Sequence, residues 1–512
     1  MDLKINREML SVTESIYDGL QEQSLELDYI LPDYCPDIFR LVKCCVTPSV
    51  VSKTISGDTL SYELSADIRI LYCTENSPAL HCITQKMTFS KTLQLPGAEE
   101  KISVSLTPKT DHINCRVVNP KRIDLRGAVS VKIRATAERS HEIICDIFGM
   151  NSQTRKQPIE FAAKKISAFR TLNTSENIEL NASSAPIGAI VRVTAIPEIT
   201  DKKIVANKLV IKGEAKISIL YSTENGLETL LSKIPFSQIA DMEGIDESFK
   251  CSVRADVASC EAVPVTDADG KTDAVKCDLR INLECFAFKS LPSELITDVY
   301  STTYPCEFAM SRLKIQKVPE ELCESTQKTL TLRNENGSID CVYDVWCTPR
   351  NINTSIDSEN ECIVVSGMTE YCVMIKNETG MPFVIEKTEA FEHSISVPGI
   401  TSSSAVDLSV IIPECEYNIS SSDTLSLKAE LLFCGQLSLS SEFEARTEVS
   451  FIEDVKKVRD GDYALKLYYG VEGEDIWDVA KKYSTSVKAI MEENDLESQR
   501  LTDSGMLLIP IV

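Results

Sequence analysis

An internal repeat constrains this chain more than any other feature. Leu60–Asn76 reads LSYELSADIRILYCTEN, Leu209–Asn225 reads LVIKGEAKISILYSTEN 149 residues later, and both end in ILY-x-TEN. In the first copy Leu60, Tyr62, Leu64, Ala66, Ile68, Ile70 and Tyr72 alternate with mostly polar residues. A period of two is the pattern of a strand with one buried face. The second copy carries that face as Leu209, Ile211, Gly213, Ala215, Ile217, Ile219 and Tyr221. A third, 154 residues further on, has Ile363, Val365, Gly367, Thr369, Tyr371, Val373 and Ile375. Flanking anchors recur as well: Pro48, Pro197 and Pro349 before the strand, Phe89, Phe236 and Phe391 after it, and Gly97, Gly244 and Gly399 ending the return strand. The turns between (Glu75–Pro78, Glu224–Gly226, Glu378–Pro382) hold the Asn, Gly and Pro that hairpins need. Short alternating segments, Leu25–Leu27, Ile178–Leu180 and Leu330–Leu332, open each copy.

The repeat predicts a mainly β chain. It holds three tandem modules at 21–150, 174–305 and 325–455, each sandwich-like or barrel-like, with the pattern not choosing between the two. Residues 1–20 read as a lead segment. The polar or mixed stretches 151–173, 306–324 and 456–463 read as linkers, the first two with room for short helices, and 464–512 as a small separate domain. Linkers of this kind predict modules that limited proteolysis would separate.

A net charge of −24 argues against nucleic-acid binding, which needs a basic surface to displace phosphate counterions. Met1–Leu20 carries Asp2, Lys4, Arg7, Glu8 and Glu14 and lacks the apolar core of a secretory signal. Apolar runs such as Ile187–Val193 and Met506–Val512 are too short to span a bilayer, so the expectation is a cytosolic chain. Its 19 cysteines are odd in number, form no Cys-x-x-Cys pair and often sit in strand-like apolar runs, the pattern of reduced thiols packed as small hydrophobes.

Chemistry-bearing constellations are scarce. His81, His112, His141 and His393 are scattered without metal-ligand spacing. Asp267–Asp273 resembles a calcium loop, but Lys271 takes an oxygen-ligand position and Asp278 replaces the closing glutamate, so it reads as a hairpin loop. No phosphate loop, Gly-x-Ser-x-Gly elbow or Cys/His nucleophile pattern occurs. These readings predict a chain that is not an enzyme and uses no metal or cofactor.

The pattern changes after Asp460. Leu465–Val471 reads as a strand, and Ile476, Val479, Ala480 and Tyr483 form one helical stripe that Asp475 can cap. In a second helix Ser486 is the cap, Val487, Ile490 and Met491 the inner face, and Asn494 the left-handed exit; Leu507–Ile509 closes as a strand. This βααβ order closely resembles a LysM domain, through Tyr469-x-Val471, Gly473-Glu-Asp-Ile-Trp477, Ala480 with Tyr483, Thr485-Ser-Val487, Asn494-x-Leu496, Gly505 and Ile509-Pro510. The resemblance implies a binding site on the loop after the first strand and the loop after the second helix. Gly473, Glu474, Asp475, Ile476 and Trp477 would supply the first part, and Asn494, Asp495 and Leu496 the second. LysM domains that bind N-acetylglucosamine polymers use these loops, and Asp475 stands where a threonine is commonest. Trp477 has two readings: packing against the small core, or an exposed anchor for a partner inside an acidic rim of Glu472, Glu474, Asp475 and Asp478.

Leu31-Pro-Asp-Tyr-Cys-Pro-Asp-Ile-Phe-Arg-Leu-Val42 resembles the signature of the SPOCS domain of bacterial spore-coat proteins, and the later copies keep traces of it in Ala185–Val193 and Cys341–Pro349. Three such modules and a LysM domain resemble a spore-coat morphogenetic protein of clostridium-type endospore formers. That resemblance implies a non-enzymatic scaffold in the mother-cell cytoplasm at the forespore surface. Its partner would be the ATPase of the coat basement layer, bound through LysM. The alternative is a protein of spore cortex or cell wall that binds peptidoglycan, an N-acetylglucosamine polymer.

Overall fold

The computed structural model describes residues 3–75, 77–96, 102–181, 184–224, 226–266, 271–378, 380–457 and 464–510. Asn76, Asn225, the Gly97 anchor, Asp267–Gly270 of the calcium-like loop and the stretch 458–463 lie outside them.

The repeated strand is the centre of a three-stranded meander each time. In the first unit β1 (Lys4–Ile30) leads to β2 (Arg40–Ser56), β3 (Thr59–Thr74) and β4 (Ser77–Gln94), followed by β5 (Ile102–Asn119) and β6 (Arg122–Phe148). One sheet has the order β2-β3-β4 and the other β1-β6-β5. Leu25, Val46, Leu64, Ile83, Leu106 and Ile133, one from each strand, meet in a single core between the sheets, so the unit is a two-layer sandwich. The second unit repeats the plan with β7 (Ser152–Glu179), β8 (Ala189–Val205), β9 (Lys208–Thr223), β10 (Gly226–Asp241), β11 (Lys250–Thr266) and β12 (Thr272–Ser301), in sheets β10-β9-β8 and β11-β12-β7.

In the third unit prolines divide the outer strands. β13 (Cys306–Gln316) and β14 (Glu320–Arg333) replace one long strand, interrupted at Pro319, which lacks a ladder N–H. β15 (Ile339–Asp357), β16 (Cys362–Asn377) and β17 (Pro382–Ser396) form the meander, and β18 (Ala405–Ile411) and β19 (Cys415–Ser421) flank Pro413. β20 (Thr424–Ser438) pairs with β14, β18 and β19, and β21 (Ser440–Phe451) pairs with β13. Lys317 N–H donates to the Leu439 carbonyl at 2.8 Å, keeping the two halves in one register.

The anchors occupy equivalent places. Pro48, Pro197 and Pro349 lie on the outer meander strands opposite Ala66, Ala215 and Thr369, where a strand without a further neighbour tolerates a missing donor. Phe89, Phe236 and Phe391 lie opposite Leu64, Gly213 and Gly367. A Cβ on Gly213 would stand 2.4 Å from the Phe236 ring and one on Gly367 3.0 Å from that of Phe391, so glycine lets each ring close over the strand and be buried. Leu64 fills that space in the first unit and leaves Phe89 half-exposed. The crossover between the sheets also repeats. Leu31 and Ile38 N–H donate to the Lys121 and Pro120 carbonyls of the last hairpin; Leu180 and Ile187 donate to Asp273 and Thr272, and Asn334 and Ile339 to Asp423 and Ser422.

Two expectations are corrected. The expected lead 1–20 is not a separate segment: Lys4–Leu20 form most of β1. Residues 151–173 and 306–324 are not linkers with helices but strands of β7, β13 and β14. The pairs β1–β6, β7–β12 and β13–β21 run past their sandwiches as two-stranded ribbons, down to Lys4↔Phe148, Ser152↔Ser301 and Cys306↔Phe451. The ribbons pack on one another. Leu10, Ile143, Phe161, Leu295, Leu313 and Ala445 form one shared cluster, and Ile147, Val299 and Val449 belong to a second. The meanders converge too: Leu71 and Cys73 of β3, Leu220 of β9 and Cys372 and Met374 of β16 are buried together.

Ile219 is fully buried on the inner face of β9, while Lys216 projects outward beside Glu198 at 3.1 Å. Ile219→Asp is expected to cost about 3–5 kcal/mol and Lys216→Glu about 1 kcal/mol or less, read as thermal midpoints of the two variants. Because the connectors are ribbon strands, limited proteolysis is expected to spare 151–173 and 306–324 and to release no single sandwich. Early appearance of fragments cut there would refute the ribbon bundle.

Candidate functional site

The C-terminal domain consists of β22 (Leu465–Gly470), α1 (Ile476–Tyr483), α2 (Val487–Glu493) and β23 (Gly505–Pro510), with the two strands antiparallel. Asp475 caps α1, its Oδ1 accepting from Trp477 N–H at 2.9 Å, and Ser486 Oγ caps α2 through Ala489 N–H at 3.1 Å. Ile476, Val479, Ala480, Ile490, Leu507 and Ile509 make the core.

The two expected loops lie side by side. Gly473 N–H donates to the Leu501 carbonyl at 2.8 Å, Leu501 N–H to that of Glu474 at 3.0 Å, and Ile476 N–H to that of Gln499 at 2.8 Å. Gly473 has φ +82°, a left-handed turn that glycine adopts without strain. Glu474 is turned inward: its carboxylate accepts from Tyr468 Oη at 2.5 Å and Val471 N–H at 3.1 Å. Ile476 is a core residue rather than a contact residue. Asn494 does not take the left-handed exit; Asp495 does, at φ +50°. The Asn494 amide instead pins α2 to β23, donating to the Ile490 and Leu508 carbonyls at 2.8 and 2.7 Å and accepting from Leu508 N–H at 2.6 Å. Leu496 packs against the core. Of the eight expected residues only Gly473 and Asp495 are exposed, beside Glu472 of the expected acidic rim and Glu497, Ser498, Gln499 and Arg500, which sequence reasoning did not single out. Their signal was the polar run 497–500 between the helix and the closing strand.

Trp477 is not an exposed anchor. It is 5% exposed and packs edge-on to Tyr300 at the end of β12, ring centroids 5.0 Å apart. Its Nε1–H donates to Asp298 Oδ2 at 2.8 Å, and Lys481 Nζ donates to the same carboxylate at 2.7 Å. Tyr300 Oη donates to the Thr485 carbonyl at 2.7 Å, and Lys457 Nζ bridges the Ser301 carbonyl and Ser484 Oγ at 2.8 and 3.2 Å. Asp475, read as part of an acidic rim, is neutralised by Arg155 of β7 at 2.6 Å. The helical side of the domain is therefore clasped to the second unit's ribbon, with Asp475 and Trp477 of the first loop in the clasp, while Gly473, Asp495 and residues 497–500 stay exposed. Burial alone would raise the Asp298 pKa, but the hydrogen bonds from Lys481 and Trp477 outweigh it and hold the carboxyl below its usual value.

Comparison with known families agrees with this geometry. The description "SipL, SPOCS domain" matches residues 37–118 and 186–265, and "LysM domain" matches 471–506. No curated protein and no solved structure matches the chain. The chain thus combines SPOCS domains with a C-terminal LysM domain. The LysM match marks a glycan- or peptidoglycan-binding class of domain and the SPOCS match a sporulation-related one; both are binding rather than catalytic domains. The third sandwich shares the architecture of the two matched units.

Asp298→Ala is expected to open the clasp. With Trp346, the second tryptophan, replaced by Phe, Trp477 emission should move to longer wavelength while circular dichroism stays unchanged. Because the folded carboxyl is depressed, its contribution is present above the ordinary aspartate value of ~3.9 and is lost as pH falls through the lower folded value. The native emission should therefore persist at pH ~5 and shift only below pH ~4.

Proposed function

From a chain that joins SPOCS and LysM domains, we propose a non-enzymatic spore-coat morphogenetic scaffold with three SPOCS-type units. It works in the mother-cell cytoplasm and attaches coat to the forespore surface by LysM-mediated binding to the coat basement-layer ATPase. The observation that carries this reading is the chemistry of the free LysM edge. Glu472, Asp495 and Glu497 are exposed there beside the cation Arg500, while the aromatic Trp477 is already engaged within the chain. Exposed carboxylates steer and orient a basic protein patch, whereas a neutral polysaccharide gains little from them and draws on aromatic stacking.

The second reading, binding of N-acetylglucosamine polymer, is favoured by the LysM match itself and by the paired loop backbones. The two separate in one experiment on the full chain. Reversing Glu472, Asp495 and Glu497 to Lys should weaken binding to the ATPase about tenfold, and salt should weaken wild-type binding, since the contribution is electrostatic. N-acetylglucosamine oligomers should not compete. Tight oligomer binding with no capture of the ATPase would overturn the scaffold reading in favour of the glycan one.

A further inference from the structure

The cysteines are not scattered at random through the three units. Cys260 and Cys277 lie 4.0 Å apart in the core of the second sandwich. Cys44 neighbours Cys115 in the first and Cys347 neighbours Cys415 in the third, each pair packing against its unit's core. A fourth pair differs. Cys323 of β14 stands directly opposite Cys434 of β20, with the two Sγ atoms 2.6 Å apart. Cys323 is exposed, Cys434 is half-buried, and neither belongs to a core cluster.

Directly opposed residues on antiparallel strands hold their Cβ atoms close to the separation of a disulfide, and 2.6 Å between the two Sγ atoms leaves only a short closure to a bond. Access separates this pair from the other three, since exchange requires an oxidant to reach one sulfur in line with its scissile bond.

We propose that Cys323 and Cys434 form a thiol–disulfide exchange site that takes small-molecule disulfides as oxidant and closes into an intrachain disulfide. The Cys323 thiolate attacks one sulfur of the small disulfide, forming a mixed disulfide and releasing one thiol. Cys434 sulfur then attacks Cys323 sulfur, forming the intrachain bond and releasing the second thiol. Two electrons pass to the small disulfide, and the two cysteine protons end on the released thiols. The order follows from exposure: burial pushes the Cys434 thiol up to about 12, which disfavours it as the first nucleophile. Once formed, the bond fixes the outer strand β14 to β20 in the third sandwich. This inference is independent of the scaffold reading and concerns a different part of the molecule.

The test uses the reduced full-length chain treated with oxidised glutathione, quenched by alkylation, digested and examined by mass spectrometry. A linked peptide containing Cys323 and Cys434, lighter by two hydrogens than the sum of its parts, is expected to appear before any other cross-link. Cys260, Cys277, Cys44 and Cys115 should still be alkylated after unfolding. Cys323→Ser should abolish the linked peptide without changing circular dichroism, and Cys434→Ser should stop the reaction at a glutathione adduct on Cys323. The proposal is overturned if the wild-type chain accumulates that adduct without closing. It is also overturned if another pair links first, or if Cys323 stays unmodified while other thiols react.

Discussion

The structure rests on the pairing of the first and last strand of each unit. In the first two units these strands are 27, 27, 28 and 30 residues long, several times the usual strand, and a sandwich can use only part of such a length. The remainder must project as a two-stranded ribbon. A lone ribbon is marginal in water because it has one apolar side and nothing to cover it. Three ribbons meeting at Leu10, Ile159, Phe161, Leu295, Leu313 and Ile315 cover one another, so each depends on the other two. A chain that might have been beads on a string becomes one body, in which contacts between distant segments hold the whole.

The meanders meet under a second constraint, one of charge. Lys43, Arg192 and Asp344 each follow a register shift at the start of the outer meander strand, so they are equivalent positions in the three units. Three copies of one basic side chain converging on a buried junction would repel. Here the third unit carries an acid instead: Arg192 pairs with Asp344, both nearly buried, and Lys43 reaches Glu370 and Glu386 at 2.8 and 2.9 Å. Removing one partner from such a pair strands a charge in a dry interface, which is the costly error. The pairs therefore fix which unit sits where, a role that apolar contacts among Leu71, Leu220 and Met374 cannot fill by themselves.

Much of this was legible in the sequence because it is periodic. The inner faces of β3, β9 and β16 follow a strict alternation, and the fold buries them as read. The LysM helices announced themselves through caps and a single apolar stripe, and both caps form. The ribbons were not legible. Their apolar positions, such as Ile159 with Phe161 and Leu313 with Ile315, are few and embedded in charge, because a ribbon buries only a narrow seam. The junction of the meanders left a trace in ILYC, ILYS and CVMI, where both strand faces turn apolar together, the mark of a strand buried on two sides. The role of Trp477 had no local signal, since its partners Asp298 and Tyr300 stand 179 and 177 residues away in the chain.

That distance links the ribbons to the C-terminal domain. A LysM domain joined by a free tether would sample many orientations, and any partner would have to restrict them, at a cost in entropy on binding. The Asp298 carboxylate gathers Trp477, Lys481 and, at 3.6 Å, Arg446 of β21, so it ties the domain to two ribbons at once. Arg446 also lies over the Phe308 ring of β13 at 4.2 Å, which brings the third unit's own ribbon into the same knot. The LysM loops are thereby held in one direction relative to three sandwiches, and that restriction is met in folding rather than at each encounter. Pre-organisation of this kind favours a module that repeatedly meets an extended surface in a single pose, and it depends on a carboxylate that local sequence motifs do not mark.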